Sequence, residues 1–593
     1  MTATTRPRMI APYSAPCQQI WIMQKLTWTL YALSTRLHRA SRRIADQFAL
    51  QTARLAKPAT AFVSQPEPRS YGNAARGIQM AAGNFLIAGD VVVAPKKSLW
   101  NLPHKDAEFV EDLHGFAWLD DLAASDDPAA HAKGQDWLFE WINQHGTRSG
   151  PGWRADVTGR RVVRWINHAI MLLNQQSPER SKAYFKSLGQ QAHYLSKRWK
   201  TMRSGLPRFE ALTGLVYCGL ALEGKAHLLR PALHALSLEC KREIGKDGGI
   251  VSRNPEALME VFTLLSWVSQ AAGVAEITAE PEILKAIERM APTLRALRLG
   301  DGGLVRFHGG GSGQADRLDQ ALADAGIRTP ASVDGAMGYT RLVCGTTRLV
   351  MDTAILPPVK ASENAHACTL AFEMSSGQFP VLVNRGRSYG FSDKVREATR
   401  ATSAHNTLCV NGESLATFDA EGLIGKTFGR HIVAGPKLVT VLTDQNRSGR
   451  AVRATHDGYC KSHGLTHFRQ LSIVNNGSEI HGLDELKTET SHDRARFLKA
   501  AKGTNRKAIP FRIHFHIHPN VTAKLDLNGT AISLTLPNEQ VWVFRATGGK
   551  LNLRNSSYME RGRLRPRSTK QIVVTSRALN YEGRVTWTLT RSA

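Results

Sequence analysis

From about Ala81 to Arg298 the apolar residues recur at helical spacing. The run GQDWLFEWINQH sets Trp137, Leu138, Trp141 and Ile142 on one face, and TGRRVVRWINHAIMLL repeats the pattern with Val162, Trp165, Ile166, Ala169 and Leu173. RFEALTGLVYCGLAL, PEALMEVFTLLSWVSQ and EILKAIERMAPTLRALRL continue it, each the length of an ordinary globular helix. Gly and Pro mark the breaks, in SGPGW, SGLPR and KDGGIVSRNP. Many helices joined by short turns predict a toroid or solenoid of helical hairpins.

After Gly300 the period falls to two. GDGGLVRFHGGGSG is too rich in glycine to continue a helix, and without a GKS or GKT ending it reads as an interdomain turn rather than a phosphate cradle. Beyond it RLVMDTAIL, ACTLAFEM, FPVLVN, NTLCVNG, KLVTVLTD, RQLSIVNN, IPFRIHFHIHP, QVWVFRA and VTWTLTR are separated by NG, NNG, GG or Pro. That pattern predicts an antiparallel β-sandwich. His514, His516 and His518 share one face of their strand, opposite Ile513, Phe515 and Ile517; a solvent- or groove-facing strand is expected there, with metal binding by the three His as the alternative. The expected organisation is a basic segment over residues 1–70, an α/α domain over 71–300 and a sandwich over 301–593.

A chain of 593 residues exceeds one ordinary core, which agrees with two large domains. Seventy-seven Lys and Arg against 50 Asp and Glu leave a formal +27. Such a field favours an acidic polysaccharide, nucleic acid or an anionic membrane face, although a basic host proteome gives the same composition. Nothing resembles an RNA motif or a zinc finger, so no nucleic acid is expected. The seven cysteines never form a CxxC, which excludes a zinc ribbon and a disulfide framework; Cys218 and Cys409 stand in apolar runs and read as buried thiols. Residues 1–60 hold nine Lys or Arg and a single acidic residue, Asp46. Within them QIWIMQKLTWTLYALSTRL is interrupted by Lys25 and followed by no small-residue cleavage site, which makes a poor secretory signal and a poor spanning helix. With Trp21, Trp28 and Tyr31 beside basic residues, it reads either as an interfacial helix in peripheral contact with a membrane or as a packing helix with a basic tail.

The stretch from Ser362 to Phe418 reads SENAHACTLAFEMSSGQFPVLVNRGRSYGFSDKVREATRATSAHNTLCVNGESLATF. Together with DGGLVRFHGGGSG at residues 301–313 and HDGYCKSHGLTHFRQLSIV ending at Val474, it resembles the heparinase II/III-like polysaccharide lyases. The resemblance spans roughly residues 80–590. It implies an (α/α) toroid followed by a β-sandwich. The implied activity is cleavage of an acidic, uronic-acid polysaccharide by elimination in a basic cleft between the two. A binding protein that has lost the chemistry on the same scaffold is the alternative. The family also implies the cell envelope or periplasm; the absence of a clean signal leaves the cytoplasm or the inner membrane as the alternative. No organic cofactor is expected.

Elimination requires a cation for the uronate carboxylate, a base for the proton beside it and an acid for the leaving oxygen. His405, in SAHNTLCVNG, reads as a base, a metal ligand or a strand-end hydrogen-bonding residue. By the resemblance it is a ligand of one structural zinc, with Asp419 and with His456 or His467 as the third; loops cross-linked by hydrogen bonds are the alternative. The family's catalytic sandwich His then falls on Ser403, its Asn-His motif on the region of Leu206, Pro207, Arg208 and Glu210, and its Tyr-His pair on Ala257 and Leu258. The substitutes expected for the chemistry are Arg208, Glu210, Asn254 and Tyr389. Those expected for binding are Arg253, Arg396, Arg400 and His168, Arg being suited to carboxylates by its planar fork. Each of these reads alternatively as a salt bridge or helix cap.

Overall fold

The computed structural model describes Ser41 and residues 44–592, apart from 65–71, 104–105, 314, 333–334, 389–392, 419–430, 503–507, 561–562 and 564. In the first half, the helix starts are written in the sequence. Asp127, Ser177 and Asn254 each precede a proline, and each side chain accepts a first-turn backbone N–H of Pro128–His145, Pro178–Arg198 or Pro255–Val274. Proline costs nothing at that position, because the N–H it lacks would have had no partner. The helices surround a core that includes Trp137, Trp141, Trp165, Phe209 and Phe262. Helix Ala155–Asn167 meets helix Leu206–Ala221 backbone to backbone, and a Cβ built on Gly214 would lie 2.5 Å from the Cα of Gly159. Pro255–Val274 is long and apolar enough to cross a membrane, but it packs between Leu206–Ala221 and Pro281–Ala296 with Leu258, Phe262 and Leu265 buried.

Two elements depart from the expected pattern. Asn84–Ile87 and Asp90–Val93 form a β-hairpin inside the helical half. Ala88 and Gly89 both take positive φ at its turn (50° and 86°), the geometry that suits a two-residue hairpin. Helix Ala315–Asp324 lies beyond residue 300 and packs against Pro255–Val274, so helical packing continues past the glycine-rich turn.

The second half is antiparallel throughout its described ladders. Strands Tyr339–Cys344, Thr347–Asp352, Phe372–Ser376 and Phe379–Leu382 form a four-stranded meander in chain order. Eight strands from Val439–Asn446 to Glu582–Arg591 form the large sheet, with Glu479–Lys487 and Glu582–Arg591 paired at its centre. Lys550–Tyr558, Arg567–Ala578, Ile509–His516 and Leu408–Val410 form the third. The sandwich core closes on Trp587, whose ring stacks on Phe372 at 5.8 Å and packs against Phe515 and Phe544. Gly482 pairs with Trp587 in the ladder, and a Cβ there would fall 1.9 Å from the indole. Strand Ile509–His516 is buried on both faces over residues 513–516, contrary to the solvent- or groove-facing expectation, while Arg512 stays exposed. His514 meets Gln571, His516 meets Ser556 and the Ser403 carbonyl, and the ring of His518 lies against Tyr558.

The halves are joined by a buried ion pair. Arg253, just before Asn254 caps its helix, pairs with Asp352 at the end of strand Thr347–Asp352. Its remaining donors reach the carbonyls of Met337 (3.0 Å), Gly338 (2.9 Å) and Ile355 (2.7 Å).

Gly214→Ala should destabilise the protein by about 1–3 kcal/mol, since the methyl group has no room against Gly159. Gly273→Ala, with nothing within 4 Å of its Cβ, should be neutral or slightly stabilising through helix propensity. Urea denaturation of the two variants side by side checks the pair.

Candidate functional site between toroid and sandwich

Charged side chains meet across the junction of the two halves. Arg203 of the toroid pairs with Glu363 of the sandwich, and Arg387 of the sandwich forks onto both oxygens of Glu108 at 2.8 Å. Behind them on the toroid side, Arg154 pairs with Glu111 and Asp156, and Arg160 with Glu210 at 3.4 Å. Arg164 and His168 both hold Asp120, each at 3.0 Å. Burial alone would raise the Asp120 carboxyl; Arg164 and His168 outweigh it and bring it down to about 2. Glu210 goes the other way. Burial pushes its pKa up to about 7 despite Arg160, so it exchanges a proton near neutrality.

On the sandwich side two chains of imidazoles lie in the interior. His405 is positioned by the short turn Thr402–Ala404 and by the strand Leu408–Val410 that follows it. Its Nδ1 lies 2.9 Å from the Ala401 carbonyl, and a carbonyl only accepts, so Nδ1 carries the proton. Its Nε2 is then an acceptor, 3.0 Å from Nδ1 of His366, which must be the donor. His366 keeps the lone pair of its Nε2, a nitrogen with no hydrogen-bond partner among the described residues. The ring sits three residues beyond Glu363, within electrostatic reach of Arg387 and Arg400. Burial holds both imidazoles neutral, His405 at about 3 and His366 well below the usual range.

The second chain is closed at both ends. The Gly458 N–H donates to Nδ1 of His456 at 3.0 Å. Nε2 of His456 therefore donates to Nδ1 of His467 at 3.1 Å, and Nε2 of His467 donates to Asp484 at 2.8 Å. Asp484 is gripped as well by Arg469 and by the Trp587 indole N–H at 3.0 Å. Arg469 uses its other donors on the carbonyls of Leu370 (2.8 Å) and Asn406 (2.7 Å).

These positions revise several expectations. Arg208 bonds the Met202 carbonyl and Glu239, which fastens the start of its own helix instead of facing a reaction. Arg253 is consumed by the domain junction, and Asn254 caps Pro255–Val274 while donating to the His308 carbonyl at 3.2 Å. Arg400 is buried, bonded to the carbonyls of Ala365 and Ser362 and lying over Phe418, so it shapes the His366 loop rather than gripping substrate. His168 is tied to Asp120. Glu210 and Arg396 remain at the charged junction, Arg396 being 39% exposed on its side chain. Tyr389 and Asp419 lie outside the described residues. His456 and His467 each hydrogen-bond through both ring nitrogens, to each other, to the Gly458 N–H and to Asp484. The sequence reading did not single out His366, His308 or Asp352. His366 stands inside the most informative stretch, SENAHACT, but only its pairing with His405 marks it.

A helical toroid and an antiparallel sandwich, with ionisable groups at their junction, make up the architecture. Residues 327–588 match the family described as Heparinase II/III-like, C-terminal. Over 489 residues the chain is 28% identical to FtsZ-localized protein C of Caulobacter vibrioides, a match covering 82% of each chain. It is similar in structure to heparinase III, with 12% identity, 95% of this chain and 91% of that one covered, and a TM-score of 0.68. A heparan sulfate lyase HepC mutant from Pedobacter heparinus aligns at 14% identity over 92% and 87% of the two chains, TM-score 0.56. Residues 327–588 are similar to the heparinase II/III-like C-terminal domain, and the chain as a whole has the fold of heparinase III.

Asp484→Asn should cost about 3–5 kcal/mol, because Arg469 would stay buried without its counter-charge; chemical denaturation at neutral pH measures it. Glu210 has a raised pKa in the folded state, so the stability it contributes is present below about pH 4.5 and lost as pH rises through about 7. Glu210→Gln should therefore flatten the stability profile between those values, as read by urea midpoints across that range.

Proposed function

We propose that this chain is a polysaccharide lyase that breaks a uronic-acid-containing polysaccharide by β-elimination between toroid and sandwich, with His366 as the base. The carrying observation is the imidazole pair, in which His405, anchored on the Ala401 carbonyl, leaves His366 with a lone pair on Nε2. In the reaction that nitrogen takes the proton beside the uronate carboxylate. The released electron pair forms the new carbon–carbon double bond, and the bond to the glycosidic oxygen breaks. Glu210, protonated below about 7, supplies the proton for that oxygen from the toroid side. Arg203, Arg387 and Arg396 neutralise the substrate carboxylate by exchanging it for Glu363 and Glu108. His405 is a positioning residue; it accepts from the imidazolium that forms on His366.

The substrate in this reading is an acidic polymer of the cell's own envelope. The Caulobacter relative carries the name of an FtsZ-localized protein, which favours action where FtsZ is found. A peripheral membrane contact through the N-terminal segment suits that place. Its support is charge and exposure: nine basic residues against Asp46 in residues 1–60, and Ile44, Phe48 and Leu55 at 68%, 70% and 89% exposure.

A second reading is a glycan-holding scaffold without elimination activity. It is favoured by the toroid wall, where Arg208 and Asn254 hold backbone, Leu258 is buried, and the cleft arginines Arg154, Arg160, Arg203 and Arg387 already pair with carboxylates. Ultraviolet absorbance of an unsaturated uronate, followed over a panel of heparan, alginate, hyaluronan and bacterial acidic polymers, decides between them. A lyase gives a rise with one polymer that His366→Ala abolishes and His405→Ala lowers by about 100-fold or more, the scale of a lost general base or its anchor. A flat trace with salt-sensitive retention of one polymer supports the scaffold.

A further inference from the structure

A second constellation lies deeper than the cleft, where the glycine-rich turn of the toroid passes behind the sandwich. His308 comes from RFHGGG, Asp352 from the end of strand Thr347–Asp352, and Cys368 from the loop after His366. All three are fully buried or nearly so, at 1%, 0% and 0% exposure. The separations are the informative quantity. Nε2 of His308 is 3.3 Å from Oδ2 of Asp352; Sγ of Cys368 is 3.3 Å from the same oxygen and 3.7 Å from each of the two His308 nitrogens.

As a hydrogen bond the His308–Asp352 contact is long for so tightly packed an interior, while the sulfur contacts are of ordinary length for a thiol. As edges of a coordination tetrahedron they fit. Zinc sits about 2.0 Å from nitrogen or oxygen and about 2.3 Å from sulfur, which separates nitrogen from oxygen by about 3.3 Å and sulfur from either by about 3.6 Å. A hard cation such as magnesium or calcium would not choose a thiolate and an imidazole, whereas zinc takes both.

We propose that His308, Asp352 and Cys368 bind a zinc ion that pins the toroid's glycine-rich turn to the sandwich. Charge supports the assignment. A carboxylate and a thiolate cancel a divalent cation, and Arg253 remains on the other oxygen of Asp352, fixing that ligand's orientation from outside. On loading, the Cys368 thiol releases its proton to solvent and the His308 proton moves from Nε2 to Nδ1. The last step displaces only the marginal 3.4 Å contact from the His366 backbone N–H. The fourth position is left to water or a neighbouring group. This site uses neither His405 nor the hydrogen-bonded His456, and it is independent of whether the cleft above it performs elimination.

Cobalt replaces zinc with the same geometry and reports on its ligands by colour. The full-length protein, stripped with chelator and titrated with Co²⁺, should bind an equimolar amount and develop a thiolate-to-cobalt charge-transfer band in the near ultraviolet. Cys368→Ser should lose that band and weaken Zn²⁺ binding by at least about 10- to 100-fold. Cys409→Ser, a buried thiol on a different strand, should retain both. Zn²⁺ should raise the melting temperature of the wild type and of Cys409→Ser but not of Cys368→Ser. Cobalt bound without a thiolate band would overturn the proposal by placing the ion on other ligands. Failure of the stripped, folded protein to bind either metal would overturn it outright, and circular dichroism of each variant separates lost binding from lost folding.

Discussion

Arg253 and Asp352 form the ion pair on which the relation of the two halves rests. Both are withdrawn from water, a cost of several kcal/mol per ion that only a complete set of partners recovers. Arg253 supplies that set, with three carbonyls on its guanidinium and the Tyr339 ring at 4.8 Å, while the Tyr339 hydroxyl returns a bond to the Arg253 carbonyl at 2.5 Å. The residue accepts a φ of 52° to reach this position. Next to it Asn254 starts the core helix and holds the His308 carbonyl, so one dipeptide sets the helix, the glycine-rich turn and the sandwich edge together.

From that anchor the polar interior of the sandwich follows. Asp352 orients His308 and Cys368, and the loop carrying Cys368 also carries His366 towards His405. On the far side Arg469 ties Leu370 and Asn406 to Asp484, and Asn406 in turn bonds the Phe372 carbonyl at 2.8 Å and the His516 N–H at 2.6 Å. Buried polar groups of this kind persist only when their partners are complete. Protonation states are therefore set by neighbours: a carbonyl at one nitrogen of His405 decides which nitrogen of His366 carries the proton.

The helical half and the alternating half were both legible in the chain, because periods of 3.6 and 2 follow directly from which faces must be buried. Gly- and Pro-marked breaks such as KDGGIVSRNP stood just before helix starts, and the stretch around Ser362–Phe418 carried the family resemblance. The hairpin Asn84–Ile87 with Asp90–Val93 escaped because four-residue strands beside helices carry too few periods to register. The histidine strand misled for a related reason. Alternation shows that two faces differ, but His514, His516 and His518 are buried by a second layer that alternation cannot see.

The sequence by itself determined the two-part architecture and the positive charge. Only the tertiary structure decided what the polar residues do. Arg208, Arg253 and Arg400 look alike in the chain as candidates for a substrate, yet folding ties all three to backbone carbonyls and pairs Arg208 with Glu239 and Arg253 with Asp352. His366 and His405 stand 39 residues apart and become one hydrogen-bonded unit, while His308 and Cys368 meet across 60 residues. A side chain's chemistry depends on the partners that burial leaves it, and those partners come from distant parts of the chain.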